Sequence, residues 1–537
     1  MRLILPFSPA KTAFFAAACA LAALCGCSQS KSPTQDAATE PNVKAESADS
    51  PDREVWELCF AQGVRVGYTQ TAYYRALEAG KPAVRIEGEM QIAVNRNGEK
   101  LEQRLHCTSV ETPDGRLLRF KNEMPMGAEK LIVSGRVINN RLHLETASPG
   151  KKIPAVLDWS PEYGGLFALE QSLLRKPMQP GEHRTLHTLT DAPDQLATIE
   201  LFARDWEQTS LLHGNYQLLR IDTATIFPDG NKLEQTVWTD RTGDKRKTAS
   251  AAMAMETYRV AKEEALQKSE AAPLDVGLST IVKLEKPLPG GHDAKRAVYR
   301  VHLDGGDPAA VFVTGSAQKV KSLDANTAEV TVYAVRPDRP GNADAPTDPS
   351  TDADRQPNNW IQSDNKKIVA LANEAAGEEA GPWQTAIKLE RFVHKYINRK
   401  DFSQAFASAA EVADTREGDC TEHAVLLAAL CRARGIPART AIGLVYVPQD
   451  QGFGYHMWTE VFIAAPRDGK NLADDPAPDG GREGLWIPID ATLAKGGIGA
   501  AHLELAHTSL KDASAYSSFL PVVQVVGRLK IGVVEAE

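Results

Sequence analysis

Alternation of apolar and polar residues is the dominant pattern in the first half of the chain. Between residues 54 and about 245, short segments of period two are separated by turn residues such as Asp114-Gly115. Successive side chains of a β-strand point to opposite faces, so this pattern predicts antiparallel strands joined by tight turns. Strands are predicted over Glu54–Phe60, Ile86–Val94, Leu131–Ile138 and Gln217–Ile226. We therefore expect one large antiparallel sheet, either curved or closed like a partial barrel.

The pattern changes after this sheet and divides the rest of the chain. A helix is predicted over Met253–Lys268 and closes a β-rich domain spanning residues 53–268. Residues 274–336 show a shorter run of strand patterns and are predicted to form a small β domain. The stretch 337–358 is rich in proline and aspartate and is predicted to be a linker. Residues 359–537 mix helical and strand periods, which indicates an α+β domain.

The helix predicted over Cys420–Arg434 begins with a strong capping signal. Asp419 is a favourable N-cap residue, and Glu422, three residues later, completes a capping box. Gly435 ends the helix, as a glycine at the C′ position commonly does. Cys420 is thus placed at the first helical position, where unpaired backbone N–H groups and the helix dipole favour a thiolate. The same N–H groups would stabilise the oxyanion of a tetrahedral intermediate.

A histidine and an aspartate follow Cys420 on predicted strands. His456 and Trp458 share one face of a strand predicted over Tyr455–Ile463, and Asp490 ends a strand that begins at Trp486. In this order the three residues suit a Cys-His-Asp triad: Cys420 as nucleophile, His456 as base and Asp490 as the group that orients the imidazole. Trp458 is expected to shield the site from water.

These segments resemble the transglutaminase-like superfamily, in the branch found in bacterial proteins. The resemblance covers about the last third of the chain and implies a papain/transglutaminase-like core, with the three triad roles carried over unchanged. It also implies a second oxyanion donor, for which Tyr396 and Gln404 both remain candidates. One departure is Ala491, where the family usually has proline. The matching motifs are Arg416–Ala424, Arg432–Arg439, His456–Val461 and Asp490–Thr492.

Other uses of the same residue types fit less well. Cys420 and His423 could belong to a metal site, but no second paired cluster completes a tetrahedral zinc centre, so we expect no metal and no cofactor. His423, His502 and His507 are predicted to be structural or solvent-facing. Cys59 and Cys107 fall on strands of one domain and form a candidate disulfide if the compartment is oxidising.

The N-terminus indicates export and membrane attachment. A basic start, an apolar stretch and small residues make residues 1–26 a signal peptide. Leu24-Cys25-Gly26-Cys27 resembles a bacterial lipobox, with Cys27 as the lipidated residue. No aspartate follows Cys27, so we expect a lipoprotein anchored in the outer membrane and facing the periplasm. Residues 27–52 are predicted to be a disordered tether.

Charge and motifs together leave three functions open. The net charge of −9 argues against nucleic acid as a partner. The triad would serve a cysteine peptidase or amidase, in which water resolves the acyl-enzyme, or an acyltransferase that crosslinks glutamine to an amine. A non-catalytic scaffold would keep the fold without turnover. Hydrolysis of a protein, peptide or cell-wall peptide is the reading we favour.

Overall fold

The computed structural model describes residues 50–537, except 97, 190–195, 229, 231, 252–253, 270–272, 276–279, 337–338, 343–344, 346–347, 379–380, 400–405, 465–483, 512–519 and 526. The chain divides into two compact units, Met1–Asp275 and Val276–Glu537. The predicted signal peptide, Cys27 and most of the predicted tether lie outside the described residues.

The first unit is built on one antiparallel sheet of fourteen strands. The sheet order is β8-β7-β6-β5-β4-β3-β2-β1-β14-β13-β12-β11-β10-β9, and nearly every neighbour in space is also a neighbour in the chain. This arrangement follows from the turn signals, because short connections favour pairing between strands that are consecutive in the chain. Strands β1 to β14 are Arg53–Ala61, Val64–Glu78, Lys81–Arg96, Glu99–Glu111, Leu117–Met126, Glu129–Ile138, Arg141–Ser148, Lys151–Asp158, His183–Leu189, Leu196–Leu211, Gly214–Ile226, Lys232–Thr239, Lys245–Ser250 and Met255–Val260.

One helix, α1 (Ala168–Arg175), packs its apolar face on this sheet. Leu169 and Leu173 lie in a core cluster with Leu201 and Ile221 of the sheet. Burying such side chains removes apolar area from water, which is the main stabilising term of the unit.

The helix predicted over Met253–Lys268 is wrong in its first half. Met255–Val260 forms β14, which pairs with β1 over six residues. Only Lys262–Leu266 is helical (α2). The free edge of β1 offers a full row of backbone partners, and pairing with that edge overrides the weak local preference for helix.

The predicted disulfide between Cys59 and Cys107 is also wrong. Cys59 lies on β1 and Cys107 on β4, and the two intervening strands separate them. Three strand spacings amount to about 14 Å, whereas the Cα atoms of a disulfide lie within about 7 Å of each other. No bond joins the two buried thiols.

The second unit combines five described helices with three small antiparallel sheets. One sheet has the order β15-β22-β21-β24, with β23 added beside β22; the others are β17-β18-β16-β25 and β19-β20. The helices α3 to α7 are Lys366–Ala376, Pro382–Tyr396, Ala409–Thr415, Cys420–Ala433 and Leu520–Val525. The strands β15 to β25 are Val282–Lys283, Arg296–Leu303, Gln318–Asp324, Thr327–Tyr333, Val335–Arg336, Arg339–Pro340, Ala438–Val447, Gly452–Ala464, Gly484–Ile489, His502–Thr508 and Leu529–Ala536.

The segment 274–336 does not form a domain of its own. Its central strand β16 pairs with β25, the last strand of the chain, so both ends of the second unit contribute to one sheet. The segment predicted as a linker is also packed in its described part: Asp354 is buried, and Asp348 accepts a hydrogen bond from Arg439. Local sequence pattern could not predict these contacts, because each of them joins residues that are far apart in the chain.

Helix α6 lies at the centre of the second unit. Its residues from Thr421 to Arg432 are all buried, and it packs on β21, β22 and three other helices. This explains why its sequence is apolar on nearly every side rather than on one stripe. None of the helices in the described part of the chain is long and apolar enough to cross a membrane.

Candidate active site

The start of α6 is fixed by the predicted capping box. The Asp419 side chain accepts a hydrogen bond from the Thr421 N–H at 2.8 Å, and the Glu422 side chain accepts one from the Asp419 N–H at 3.0 Å. Gly418 enters this turn with φ +146°, and an added Cβ would lie 2.3 Å from the Glu422 Cβ. Glycine is required there for both reasons.

Glu422 is a buried carboxyl with an unusual proton affinity. Burial, followed by the neighbouring Asp419 charge, raises the pKa of Glu422 to about 8. Its other oxygen accepts a hydrogen bond from the Ala407 N–H at 3.0 Å.

The nucleophile candidate is accessible whereas the other described cysteines are not. Cys420, at the first position of α6, is partly exposed. Cys431 is fully buried near the other end of the helix, and burial raises the pKa of its thiol. Cys420 therefore combines access to solvent with the anion-stabilising end of a helix.

The structure brings together the three residues predicted as a triad. The Nε2 atom of His456 lies 2.9 Å from Oδ2 of Asp490, and the Cys420 side chain lies near enough to the same imidazole to help raise its pKa. Nδ1 is the ring nitrogen left for the thiol. His456 lies on β22 and is 5% exposed, and Asp490 directly follows β23 and is 1% exposed. Since β22 pairs with β23, the sheet itself sets this distance.

The electrostatics favour a charged imidazole. Burial alone would lower the pKa of His456, but the carboxylate of Asp490 and the side chain of Cys420 outweigh it and raise that pKa to about 10. Burial likewise opposes ionisation of Asp490, yet His456 and His502 hold its pKa well below the usual value. At neutral pH the site therefore contains an imidazolium against a carboxylate.

A carboxylate that the sequence did not reveal holds the loop after Asp490. Glu390 on α4 is fully buried and accepts hydrogen bonds from the N–H groups of Asp490, Gly496 and Gly497 at 3.3, 2.9 and 3.3 Å. Asp490 Oδ1 accepts a further bond from the Thr492 N–H at 2.8 Å. In the sequence, the signal for this role is an acidic residue that lies among apolar ones.

His502 was predicted to be structural or solvent-facing, and its solvent-facing alternative is wrong. The residue is 2% exposed, and its Nε2 lies 3.1 Å from the same Asp490 oxygen that meets His456. It lies on β24, a strand that was not predicted, although its segment does alternate between apolar and polar residues. His423 contacts the Asp419 carbonyl through Nδ1, and His507 contacts Glu504.

Trp458, the residue predicted to shield the site, packs beside the imidazole. Its ring is 2% exposed and lies nearly parallel to His456, with ring centroids 6.1 Å apart and planes at 21°. Its neighbour on the other side is His502, at 5.2 Å and edge-on. The large apolar ring limits the access of water to the imidazole side of the site.

The second oxyanion donor is not identified. The hydroxyl of Tyr396 donates a hydrogen bond to the Ala413 carbonyl at 2.7 Å, and Arg416 stacks on its ring. This gives the hydroxyl a structural role between α4 and α5 and does not support Tyr396 as the donor. Gln404 lies outside the described residues.

Among the residues that the structure describes, two groups of side chains have donor atoms close enough for a metal ion, namely His456, Asp490 and His502, and Glu460, Glu504 and His507. In the first group both imidazoles share protons with Asp490, and the raised pKa of His456 opposes the loss of its proton. In the second group, Arg439 bonds to Glu460, and its positive charge would repel a metal ion. Hydrogen bonds and ion pairs therefore explain why the side chains of each group lie close together.

Comparison with known families identifies the class of this domain. Residues 369–491 match the model of the transglutaminase-like superfamily. The second unit therefore contains a transglutaminase-like domain, and the family resemblance and the α+β fold class expected from the sequence are confirmed. The matched segment begins within α3 and ends just beyond Asp490, so it includes all three triad residues.

Solved structures of three bacterial proteins show limited similarity to the chain. A candidate cysteine protease from Cytophaga hutchinsonii is 18% identical over 44% of this chain and 86% of its own, with a TM-score of 0.28. A β-barrel-like protein of a domain of unknown function from Brucella abortus is 10% identical, over 38% and 94%, with a TM-score of 0.28. A candidate protease from Parabacteroides distasonis is 10% identical, over 70% and 68%, with a TM-score of 0.16. A search of curated proteins gave no match. With TM-scores this low, the assignment of the domain rests on the family match.

Proposed function

We propose that this protein is a cysteine hydrolase that cleaves amide bonds through a thioester acyl-enzyme. The observation that carries the proposal is the arrangement around His456, whose ring contacts the Asp490 carboxylate and whose pKa is raised by both Asp490 and the nearby Cys420 side chain. The partial exposure of Cys420 adds the access that a substrate needs.

The chemistry follows from this arrangement. The Cys420 thiolate attacks the carbonyl carbon, and N–H groups at the start of α6 stabilise the oxyanion that forms. The His456 imidazolium then gives its proton to the leaving nitrogen as the C–N bond breaks, which yields an amine and a thioester. Neutral His456 next removes a proton from water, the resulting hydroxide attacks the thioester, and the C–S bond breaks. The acid is released, and the thiolate–imidazolium pair is restored.

Asp490 stays ionised through this cycle. Its carboxylate fixes the ring so that Nδ1 faces the sulfur, and it stabilises the imidazolium in each half-reaction. The buried bonds from Thr492 and from the loop held by Glu390 keep that carboxylate in place.

The expected location narrows the substrate class. The lipobox at Cys27 supports an exported lipoprotein tethered to a bacterial membrane, most simply the outer membrane, with both units in the periplasm. Proteins, peptides and cell-wall peptides are the amide substrates available there. These assignments rest on the sequence of residues 1–52.

The test compares the purified protein with Cys420→Ala and, as a matched control, Cys431→Ala. Each is incubated with casein and with cell-wall peptides, with and without a fluorescent primary amine. We expect new amino termini in the unmodified protein and in the control, and none in Cys420→Ala. Cleavage that persists without Cys420 would refute the proposal. Incorporation of the amine without cleavage would show that the protein is an acyltransferase rather than a hydrolase.

A further inference from the structure

One carboxylate oxygen in the site meets two imidazoles. Oδ2 of Asp490 lies 2.9 Å from Nε2 of His456 and 3.1 Å from Nε2 of His502. A Cys-His-Asp mechanism uses only the first of these contacts. The second comes from a different strand, β24, which pairs with β21 on the side away from β22.

The two imidazoles carry different charges. Their ring centroids are 5.8 Å apart, and both are buried, so two cations beside a single carboxylate would repel each other strongly. Burial and the charge of His456 lower the pKa of His502, although Asp490 opposes this, whereas the pKa of His456 is raised to about 10. His502 is therefore neutral and carries its proton on Nε2, where it donates to Asp490.

The surroundings of His502 fix its ring in this orientation. Trp458 packs edge-on at 5.2 Å, and the ring of His292 lies 6.0 Å away on another side. The titratable groups that face the two imidazoles are Cys420, Asp490 and His292. Of these, only Asp490 accepts a hydrogen bond from both.

We infer that His502 is a positioning residue of the site: its neutral N–H holds the Asp490 oxygen that faces His456 and takes up part of that oxygen's hydrogen-bonding capacity. The effect of His502 on turnover rests on the proposed function. During a cycle His456 alternates between charged and neutral, and its bond to Asp490 strengthens and weakens accordingly. Because the charge of His502 stays constant, its N–H holds the Asp490 carboxylate in the same orientation whether His456 is charged or neutral. It also makes the oxygen less basic and so limits how far Asp490 stabilises the imidazolium.

The test uses His502→Leu, which removes the donor, and His502→Gln, whose amide N–H reaches a similar position. His507→Gln is the matched control, because His507 lies on the same strand and bonds to Glu504 rather than to Asp490. The rate of iodoacetamide alkylation is measured in short pulses from pH 4 to about 12.5 by mass spectrometry of the peptide containing Cys420. Its high-pH transition reports deprotonation of the imidazolium. Thermal unfolding of each variant is recorded in parallel.

We expect His502→Leu to raise that transition by about 1 pH unit, roughly a tenfold change in the protonation equilibrium. His502→Gln should return it towards the value of the unmodified protein, and His507→Gln should leave it in place. A His502→Leu protein that is folded but shows an unchanged or lowered transition would overturn the inference, even if its stability has fallen. Alkylation needs no substrate, so this result is independent of whether the protein cleaves amides.

Discussion

Replacement of Glu390 by glutamine should change how the stability of the second unit depends on pH. Burial is the main cause that raises the pKa of Glu390, from an ordinary 4.5 to about 7. The folded protein therefore holds a proton on this group over a range where the unfolded chain has lost it. A group of this kind stabilises the folded state fully below pH 4.5, and its contribution is lost as pH rises through 7.

The size of the effect follows from the two pKa values. A difference of about 2.5 units corresponds to roughly 3 kcal/mol of stability lost between pH 4.5 and pH 7.5. Glutamine cannot ionise, so this part of the pH dependence disappears in the variant. Glutamine also has fewer acceptor sites for the three backbone N–H groups of the loop, which should cost about 1–3 kcal/mol at low pH.

Urea unfolding at several pH values measures both effects. If more than one unfolding transition is seen, the free energy of unfolding is taken from the transition that Glu390→Gln shifts. Glu374→Gln is the matched control, because Glu374 is exposed on α3 and should keep the pH dependence of the unmodified protein. We expect Glu390→Gln to be less stable at pH 4.5 and to approach or exceed the unmodified protein at pH 7.5. Parallel stability curves for the two proteins would refute the reasoning.

Three shorter predictions concern the helix start and the triad. Gly418→Ala should destabilise the protein by about 1–3 kcal/mol in urea unfolding, because the left-handed φ and the contact with Glu422 both oppose a Cβ; an unchanged midpoint would contradict this. His456→Ala should slow iodoacetamide alkylation of Cys420 at pH 7 by roughly tenfold, because the thiolate loses its cationic partner; an equal rate would remove His456 from that role. Tyr396→Phe should cost about 1 kcal/mol of stability and leave alkylation of the thiol unchanged; a changed alkylation rate would return this hydroxyl to the site.

The local features of helix α6 could be predicted because they depend on neighbours within a few residues. The capping box, the glycine before it and the end of the helix follow from backbone hydrogen bonding over one turn. Helix α6 begins at Cys420, as predicted, and ends at Ala433, one residue earlier than predicted.

Features that depend on distant partners could not be predicted in this way. Met255–Val260 became a strand because the edge of β1 was available, nearly 200 residues earlier in the chain. The prediction of a disulfide between Cys59 and Cys107 was wrong because the two residues lie on strands of the same sheet that are not neighbours. The order of the strands sets the distance between the two thiols. Nearly all of the segment 274–336 belongs to the second unit, where its strand β16 pairs with the last strand of the chain.

The sequence by itself determined the nucleophile candidate, its helix start, and the histidine and aspartate that follow, because short-range capping and motif order encode these. Only the tertiary structure decided that Asp490 also serves His502 and that Glu390 holds the loop beside it. Both contacts join residues on separate elements. The strength of a buried hydrogen bond depends on how closely its two partners approach in the fold, and local sequence pattern gives no information about that distance.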